Sequence, residues 1–269
     1  MTQAVTNDCI QTIERIVLEA GKLALSHFHK LSTVPVEAKG HLDLVTAADK
    51  EVEAFVTQAL VAAFPEDGVF GEEGAARPGR SGRTWVIDPI DGTFNFVRGG
   101  DQWAILIGLY EGGVPTFGVI HVPLRKQTLL GGKGIPSTLN GAAIAQRKGM
   151  KPGQASCGVG FHPMVPVDQR LETLRFVLEE AQMSFRCCGS AALSMIEVAL
   201  GQVDGYLGMG ESSWDVMGPV PILEQIGIQT TLDWTQFDLN DKLRFACGTP
   251  EFLKAVAPIV PFGTTLDLK

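Results

Sequence analysis

Two aspartates three residues apart stand in the segment 85–93, which reads WVIDPIDGT. An apolar run leads to Asp88, the following proline interrupts strand hydrogen bonding, and Asp91 begins an Asp-Gly turn. Carboxylates so placed in one turn can converge on a hard cation, which prefers oxygen ligands, and the carbonyl of Ile90 is free to join them. The segment therefore predicts a cation site at a strand end.

Gly92 and Thr93 follow directly after the second aspartate. If a helix begins there, its first N–H groups have no partner within the helix and can bind an anion. The turn therefore combines a candidate cation site with a candidate phosphate site.

Three further acidic loops strengthen this interpretation. Glu72 lies between glycines in the loop 71–74, Asp49 has capping-box spacing from Thr46, and Asp215 opens a helix. Each has a simpler alternative, namely a surface turn, a helix cap or an acid favoured by the helix dipole. Carboxylates that converge on one crevice repel one another unless cations neutralise them, so their convergence would indicate a metal centre.

The elements that must position these acids follow from apolar periodicity. Helical spacing predicts helices over 7–30, 47–64, 168–183 and 190–202, and another that opens at Trp214. Short apolar runs broken by glycine or proline predict strands over 85–88, 103–110, 114–122, 127–131, 155–160, 185–188, 203–209 and 243–247. The pattern predicts a layered α/β (α+β) arrangement of helices packed on sheets.

Composition restricts the classes of partner. The 269 residues include 45% hydrophobic residues and carry a formal net charge of −8, which is typical of a globular protein with a large core. An acidic chain without a broad basic surface is not expected to bind nucleic acid polymers or anionic membranes. With no apolar run of membrane-spanning length and no secretion signal at the N-terminus, a cytoplasmic location is expected.

The five cysteines show no zinc-like spacing and are expected to be reduced and mostly buried. The adjacent pair Cys187 and Cys188 is predicted to lie at a buried strand end.

Four motifs in order resemble the inositol monophosphatase family of magnesium-dependent, commonly lithium-sensitive phosphatases. They are DLVTAAD (43–49), GEEG (71–74), WVIDPIDGTFNF (85–96) and WDVMGPVPILEQIG (214–227). The resemblance implies a layered αβαβα sugar-phosphatase fold with two packed halves, usually a homodimer. We place the halves at 1–145, with most metal ligands, and 146–269, with Asp215 and much of the substrate pocket.

The resemblance also implies a role for each site residue. Two or three Mg²⁺ ions are expected: Glu72, Asp88 and the Ile90 carbonyl would hold the first, and Asp88, Asp91 and Asp215 the second. A third, weaker ion would lie near Glu72.

The catalytic residues implied by the resemblance are Glu72, Thr93 and Asp49. Thr93, paired with Asp49, would help Glu72 to activate the attacking water. The amides of Gly92 and Thr93 would hold the phosphate. The stretch Gly189, Ser190 and Ala191 matches a segment that lines the substrate pocket.

The sequence departs from the inositol-specific pattern at one position. Family members that act on inositol phosphates carry a glutamate seven residues before the aspartate of the WD motif, where this chain has Gly208. Glu211 is displaced from that position by three residues. The preferred substrate is therefore expected to be another small hydroxylated phosphate ester. Histidinol phosphate is the first alternative, followed by 3'(2'),5'-bisphosphate nucleotides and fructose 1,6-bisphosphate, and a non-catalytic metal-binding protein is a further one.

Overall fold

Two amphipathic helices begin the chain in a computed structural model, which describes residues 5–31, 36–40, 43–150 and 153–260. Helix α1 (Asn7–Phe28) is capped by Thr6, whose hydroxyl accepts a hydrogen bond from Cys9 N at 3.3 Å. Helix α2 (Ala47–Ala63) ends before a proline and buries Val52, Val56 and Leu60. Both helices lie where apolar periodicity predicts them.

The larger sheet has eight strands in the order β10-β9-β8-β7-β6-β5-β3-β4. Neighbouring strands are antiparallel except β3 and β5, which are parallel. Its strands are β3 (Gly68–Gly71), β4 (Ala76–Arg77), β5 (Arg83–Asp91), β6 (Ala104–Glu111), β7 (Val114–Val122), β8 (Gln127–Gly132), β9 (Ile135–Leu139) and β10 (Ala142–Ala143). A separate antiparallel pair joins β1 (Val36–Gly40) to β2 (Asp43–Thr46).

The smaller sheet has five strands in the order β12-β11-β13-β15-β14, with β11 parallel to both of its neighbours. Its strands are β11 (Ser156–Phe161), β12 (Ser184–Arg186), β13 (Gly205–Glu211), β14 (Gln229–Thr230) and β15 (Leu243–Gly248). The remaining helices are α3 (Thr93–Val97), α4 (Val167–Arg175), α5 (Ala191–Ala199), α6 (Ser213–Met217), α7 (Pro219–Glu224) and α8 (Pro250–Val256).

Helices and sheets alternate in five layers, as predicted. Helices α1 and α2 pack on one face of the eight-stranded sheet, and α6 and α7 pack on its other face. Helix α5 contacts strands of both sheets, while α8 packs against β14 and β15 of the smaller sheet. The central core joins Leu106, Ile120 and Leu129 of the larger sheet to residues of α5, α7 and the smaller sheet, so both sheets pack against the same layer of helices. The boundary near residue 145 stays a prediction.

Several predicted bounds were wrong. Strand β5 does not end at Asp88 but continues to Asp91. Helix α4 ends at Arg175, where a wider π-helical turn (Phe176–Glu180) replaces the predicted continuation to 183. Burial of Val177 accompanies this wider turn.

The adjacent cysteines also differ from the prediction. Strand β12 ends at Arg186, so Cys187 is exposed while Cys188 is buried. All five cysteines are free. Among the residues described, no helix is both long and apolar enough to cross a bilayer.

Candidate metal centre

Three aspartates from the two halves of the chain converge at the carboxyl end of β5. Asp88, Asp91 and Asp215 each offer a carboxylate oxygen, and these oxygens lie within 4.8 Å of one another. In a regular strand, side chains three residues apart point to opposite faces. Asp88 pairs with Leu106 and Asp91 with Ala104, so β5 has one extra residue, and this bulge permits both carboxylates to face the same side.

Asp88 has a buried oxygen without a hydrogen-bond partner. The residue is 1% exposed, and Oδ1 has no partner among the described residues. Burial, and then the charges of Glu72, Asp91 and Asp215, raise the pKa of Asp88 well above its ordinary value. A buried carboxylate oxygen left without a donor is costly, and a hard cation satisfies it. The oxygen donor set therefore fits Mg²⁺.

Asp91 is held by the first turn of helix α5, which is 100 residues further along the chain. Its Oδ1 accepts from Ala191 N at 3.1 Å and its Oδ2 from Ala192 N at 2.9 Å. The hydroxyl of Ser190 also donates to Oδ2. Burial and the charge of Asp215 raise the pKa of Asp91 to about 7, although these hydrogen bonds act in the opposite direction. The helix start therefore fixes the orientation of this carboxylate.

Asp215 is fixed by a capping box at the start of α6. Its Oδ2 accepts a hydrogen bond from Ser212 N at 2.5 Å, and Ser212 in turn caps the helix. Lys242 Nζ donates to Ser212 Oγ at 2.7 Å and places a positive charge beside the acid. Burial nevertheless raises the pKa of Asp215.

Asp49 serves both as a helix cap and as a neighbour of the acidic centre. Its Oδ2 accepts from Thr46 N at 2.8 Å, which completes the capping box of α2. Its Oδ1 faces Thr93 Oγ1 at 3.1 Å, and the same hydroxyl lies 2.9 Å from the Ile90 carbonyl oxygen. Because a hydroxyl carries one proton, Thr93 donates to only one of these oxygens at a time. Burial raises the pKa of Asp49.

Glu72 lies in the loop after β3, close enough to Asp88 for its charge to raise the pKa of that acid. Its backbone N–H donates to the Ile87 carbonyl at 3.2 Å, which ties the loop to β5. The aspartate triad does not include Glu72 within its 4.8 Å limit. The structure thus brings Glu72 near the three aspartates but not into the same cluster.

Glu53 is a site residue that the sequence analysis did not identify. It is buried, and its two carboxylate oxygens accept from Glu73 N at 2.7 Å and from Ala75 N at 2.9 Å. These bonds hold the loop that carries Glu72. The sequence did contain a signal for Glu53. It is an acid four residues after Asp49, on a helix face that is otherwise apolar.

The turn after β5 requires glycine. Gly92 has a φ of 91°, and a Cβ atom added there would lie 2.6 Å from the Gln102 carbonyl oxygen. Helix α3 begins at Thr93, as the phosphate-site prediction requires. Asn95 Nδ2 lies 2.8 Å from the Gln102 oxygen and 2.9 Å from the Cys188 oxygen. The turn is therefore packed directly against the segment that precedes α5.

A cavity of about 420 Å³ adjoins the aspartates. Asp91, Gly189, Ser190 and Ala191 line one side of it. Further lining comes from Phe94, Phe161, His162, Tyr206 and Glu211. The predicted substrate-pocket residues therefore lie along the cavity, although Ser190 and Ala191 also donate hydrogen bonds to Asp91.

The chain is thus a layered α/β protein in which a cluster of carboxylates that could hold a metal ion lies beside a cavity. The sequence profile described as the inositol monophosphatase family matches residues 7–262. This chain belongs to the inositol monophosphatase family.

Individual relatives differ in name. Inositol monophosphatase 1 of Solanum lycopersicum is 31% identical over 248 residues, which is 88% of this chain and 88% of that protein. Nus factor SuhB of Xylella fastidiosa is 33% identical over 210 residues, covering 77% and 76% of the two chains. The solved IMPase of Thermotoga maritima has a TM-score of 0.78 and 27% identity, and the match covers 94% of this chain and 98% of that one. These relatives carry different functional names: one is called an inositol monophosphatase and another a Nus factor.

Proposed function

We propose that this protein is a Mg²⁺-dependent phosphomonoesterase that hydrolyses a small hydroxylated metabolite phosphate. The observation that carries the proposal is the buried Asp88 Oδ1, which has no donor among the described residues and belongs to a carboxylate cluster beside a cavity. Unneutralised, such a cluster is electrostatically costly, and divalent cations would remove the repulsion.

The proposed ligand sets follow the family pattern. Glu72, Asp88 and the Ile90 carbonyl would hold one Mg²⁺, and Asp88, Asp91 and Asp215 a second, with a third, weaker ion near Glu72. When bound, Mg²⁺ lowers the pKa of water and shields the negative charge of a transferring phosphoryl group.

The protein's own groups would position the reactants. With the Ile90 carbonyl bound to Mg²⁺, the Thr93 hydroxyl would donate its hydrogen bond to Asp49, so the lone pairs of the hydroxyl oxygen could accept a hydrogen bond from the attacking water. Glu72 would act as the base that takes the water proton, in a loop fixed by Glu53. The amides of Gly92 and Thr93 would bind the phosphate oxygens. Ser190 and Ala191 support this arrangement by holding Asp91.

The substrate is a small ester because the cavity is small. A volume of about 420 Å³ accommodates a metabolite rather than a polymer. Histidinol phosphate is the first alternative to a polyol phosphate, and a nucleotide bisphosphate or fructose 1,6-bisphosphate follows. A non-catalytic role is disfavoured by the presence of Thr93 and Glu72, which water activation requires and packing does not.

Phosphate release by the purified protein tests the proposal. We expect release from at least one ester among inositol phosphates, histidinol phosphate, nucleotide bisphosphates and fructose bisphosphate, and only with Mg²⁺ present. Asp88→Asn should reduce every rate to background, whereas the exposed-site control Asp233→Asn should not. An Asp88→Asn rate within about twofold of the original rate would show that this metal-site assignment is wrong.

We also propose that the protein forms a homodimer through the α4 and β12 surface. Five large apolar side chains are exposed between residues 164 and 185, in and around these two elements: Met164, Val167, Leu171, Leu178 and Phe185. Exposed apolar side chains this close together in the chain favour an interface. The same helical segment carries Arg170, Arg175, Glu172 and Glu179, so both signs of charge are available for a two-fold, self-complementary contact. A second copy of this chain therefore fits the surface.

A further inference from the structure

Glu211 lies at the boundary between the aspartate centre and the adjoining cavity. Its carboxyl group lines the cavity together with Asp91 and Ser190. It does not belong to the cluster of Asp88, Asp91 and Asp215. The mechanism proposed above gives this acid no role.

A bulge in β13 directs the side chain of Glu211. The register of β13 against β15 shifts between Met209 and Glu211, and Gly210 between them has a φ of 92°. The side chain then turns back over Gly208, where an added Cβ atom would lie 2.9 Å from Glu211 Cγ and 2.5 Å from Phe245 Cε1. The carboxylate therefore needs glycine at position 208.

A second glycine, on the neighbouring strand, also makes room for the acid. A Cβ atom added at Gly160 of β11 would overlap both the Tyr206 hydroxyl and Glu211 Oε1. The Tyr206 hydroxyl donates to Glu211 Oε1, and Tyr206 itself is buried. Two glycines and one tyrosine thus fix the position of this carboxyl group in the cavity wall.

The other residues of the cavity wall indicate what the Glu211 carboxyl group could bind. Phe94, Phe161 and Pro163 form apolar parts of the same cavity, and Asp91 with Ser190 forms the side next to the aspartate centre. A substrate whose phosphate lies at the centre would therefore extend its carbon skeleton past Glu211. A fixed acceptor in a largely apolar pocket selects a ligand that brings a hydrogen-bond donor to it.

We infer that Glu211, positioned by Tyr206, determines substrate specificity by accepting a hydrogen bond from a hydroxyl or ammonium group on the carbon skeleton of the phosphate ester. The inference rests on the proposed phosphatase function. It assigns Glu211 to substrate recognition rather than to metal binding, because the residue lies in the cavity wall outside the aspartate cluster.

Three esters test the inference with the full-length protein and Mg²⁺. Glycerol 2-phosphate carries hydroxyl donors, O-phosphoethanolamine carries an ammonium group, and phenyl phosphate carries neither. For the better donor-bearing ester, we expect Glu211→Ala to lower kcat/KM relative to that of phenyl phosphate by about tenfold or more. Tyr206→Phe should lower the same ratio by a smaller factor, and the exposed-site control Glu251→Gln should leave it unchanged.

Glu211→Gln keeps the shape of the side chain and one acceptor oxygen but removes the charge. It therefore distinguishes a hydroxyl donor from an ammonium donor. It also provides a test of the inference if the alanine variant does not fold. It should preserve the ratio for a hydroxyl ester and reduce it for an ammonium ester. The inference is overturned if the ratio for Glu211→Ala stays within about twofold of the ratio for the original protein. It is also overturned if all three esters lose rate equally while a higher Mg²⁺ concentration is required, because Glu211 would then act on metal binding. Failure of the original protein to release phosphate from any ester would instead reject the phosphatase function.

Discussion

Thr93 Oγ1 lies 3.1 Å from Asp49 Oδ1, so the turn after β5 is joined to the first turn of helix α2. The sequence left two uses open for Asp49, a helix cap or a site residue. The structure shows that each carboxylate oxygen of Asp49 makes one of these contacts. Oδ2 accepts a hydrogen bond from Thr46 N in the helix cap, and Oδ1 faces the Thr93 hydroxyl in the site. The position of the Thr93 hydroxyl therefore depends on where α2 begins.

Removing the Thr93 hydroxyl should abolish most activity without unfolding the protein. We expect Thr93→Ala to lower kcat by about a hundredfold or more, because water then loses its orienting acceptor. Thr93→Ser should retain substantial activity. Steady-state phosphate release and a thermal melt measure the two effects separately.

Thr235 provides a matched control for this change. Its hydroxyl also donates to an aspartate, Asp233 Oδ1 at 2.7 Å, but at the protein surface. Thr235→Ala should leave kcat unchanged. A Thr93→Ala protein that keeps its full rate would contradict the proposed role of the hydroxyl.

Replacing Glu53 should destabilise the loop that carries Glu72. In Glu53→Ala, the N–H groups of Glu73 and Ala75 lose their charged acceptor, and we expect the free energy of unfolding to fall by about 2–4 kcal/mol. Glu51→Ala on the same helix removes an exposed pair with His27 and should cost less than about 1 kcal/mol. Urea denaturation of both variants tests the difference, and equal losses would refute it.

The metal-free protein should become more stable as the pH falls from 8 to 6. Burial raises the pKa of Asp91 to about 7 and that of Glu211 to about 8. Because the folded state binds more protons than the unfolded state in this window, stability decreases as the pH rises through these values. Mg²⁺ needs deprotonated ligands, so it should raise the melting temperature more at pH 8 than at pH 6.

Asp88→Asn tests whether the clustered acids cause this pH dependence. The pKa of Asp88 itself is raised, and its charge contributes to the repulsion among the clustered acids. The variant should therefore show a flatter pH dependence in melting experiments without metal. A metal-free original protein whose melting temperature rises from pH 6 to pH 8 would contradict the electrostatic account.

A charge in the centre of the exposed apolar surface should prevent dimerisation. Leu171 is 57% exposed on α4, and Leu171→Glu would place like charges opposite each other across a two-fold contact. Light scattering after size-exclusion chromatography should give a dimer for the original protein and a monomer for the variant. Leu18→Glu, an equivalent change on α1, should remain dimeric. An original protein that is monomeric at micromolar concentration would reject the interface.

Local sequence signals predicted most of the fold. Helices α1 and α2 and strands β6 and β7 follow from periodicity, caps and breakers, whereas the five-layer order was implied only by the resemblance to the inositol monophosphatase family. The bulge in β5 could not be predicted, because proline at position 89 indicates only that regular pairing stops. Cys187 was predicted to be buried because apolar character was the only signal, whereas its exposure depends on the short edge strand β12.

The sequence predicted which acids form the site, but it did not predict the hydrogen bonds and backbone features that position them. Asp88, Asp91 and Asp215 were identified by their turns, and the structure brings them together. The hydrogen bonds from the start of α5 to Asp91 could not be inferred, since they join residues 100 positions apart. Likewise, the position of Glu211 depends on a bulge and on two glycines in adjacent strands.

Diffraction from crystals soaked in Mn²⁺ tests the metal centre most directly, because manganese binds the same oxygen ligands as magnesium and scatters anomalously. The account predicts anomalous peaks within bonding distance of the carboxylates of Asp88, Asp91 and Asp215, and the loss of at least one peak in Asp88→Asn. Crystals with no anomalous peak at these three carboxylates at millimolar Mn²⁺ would contradict it.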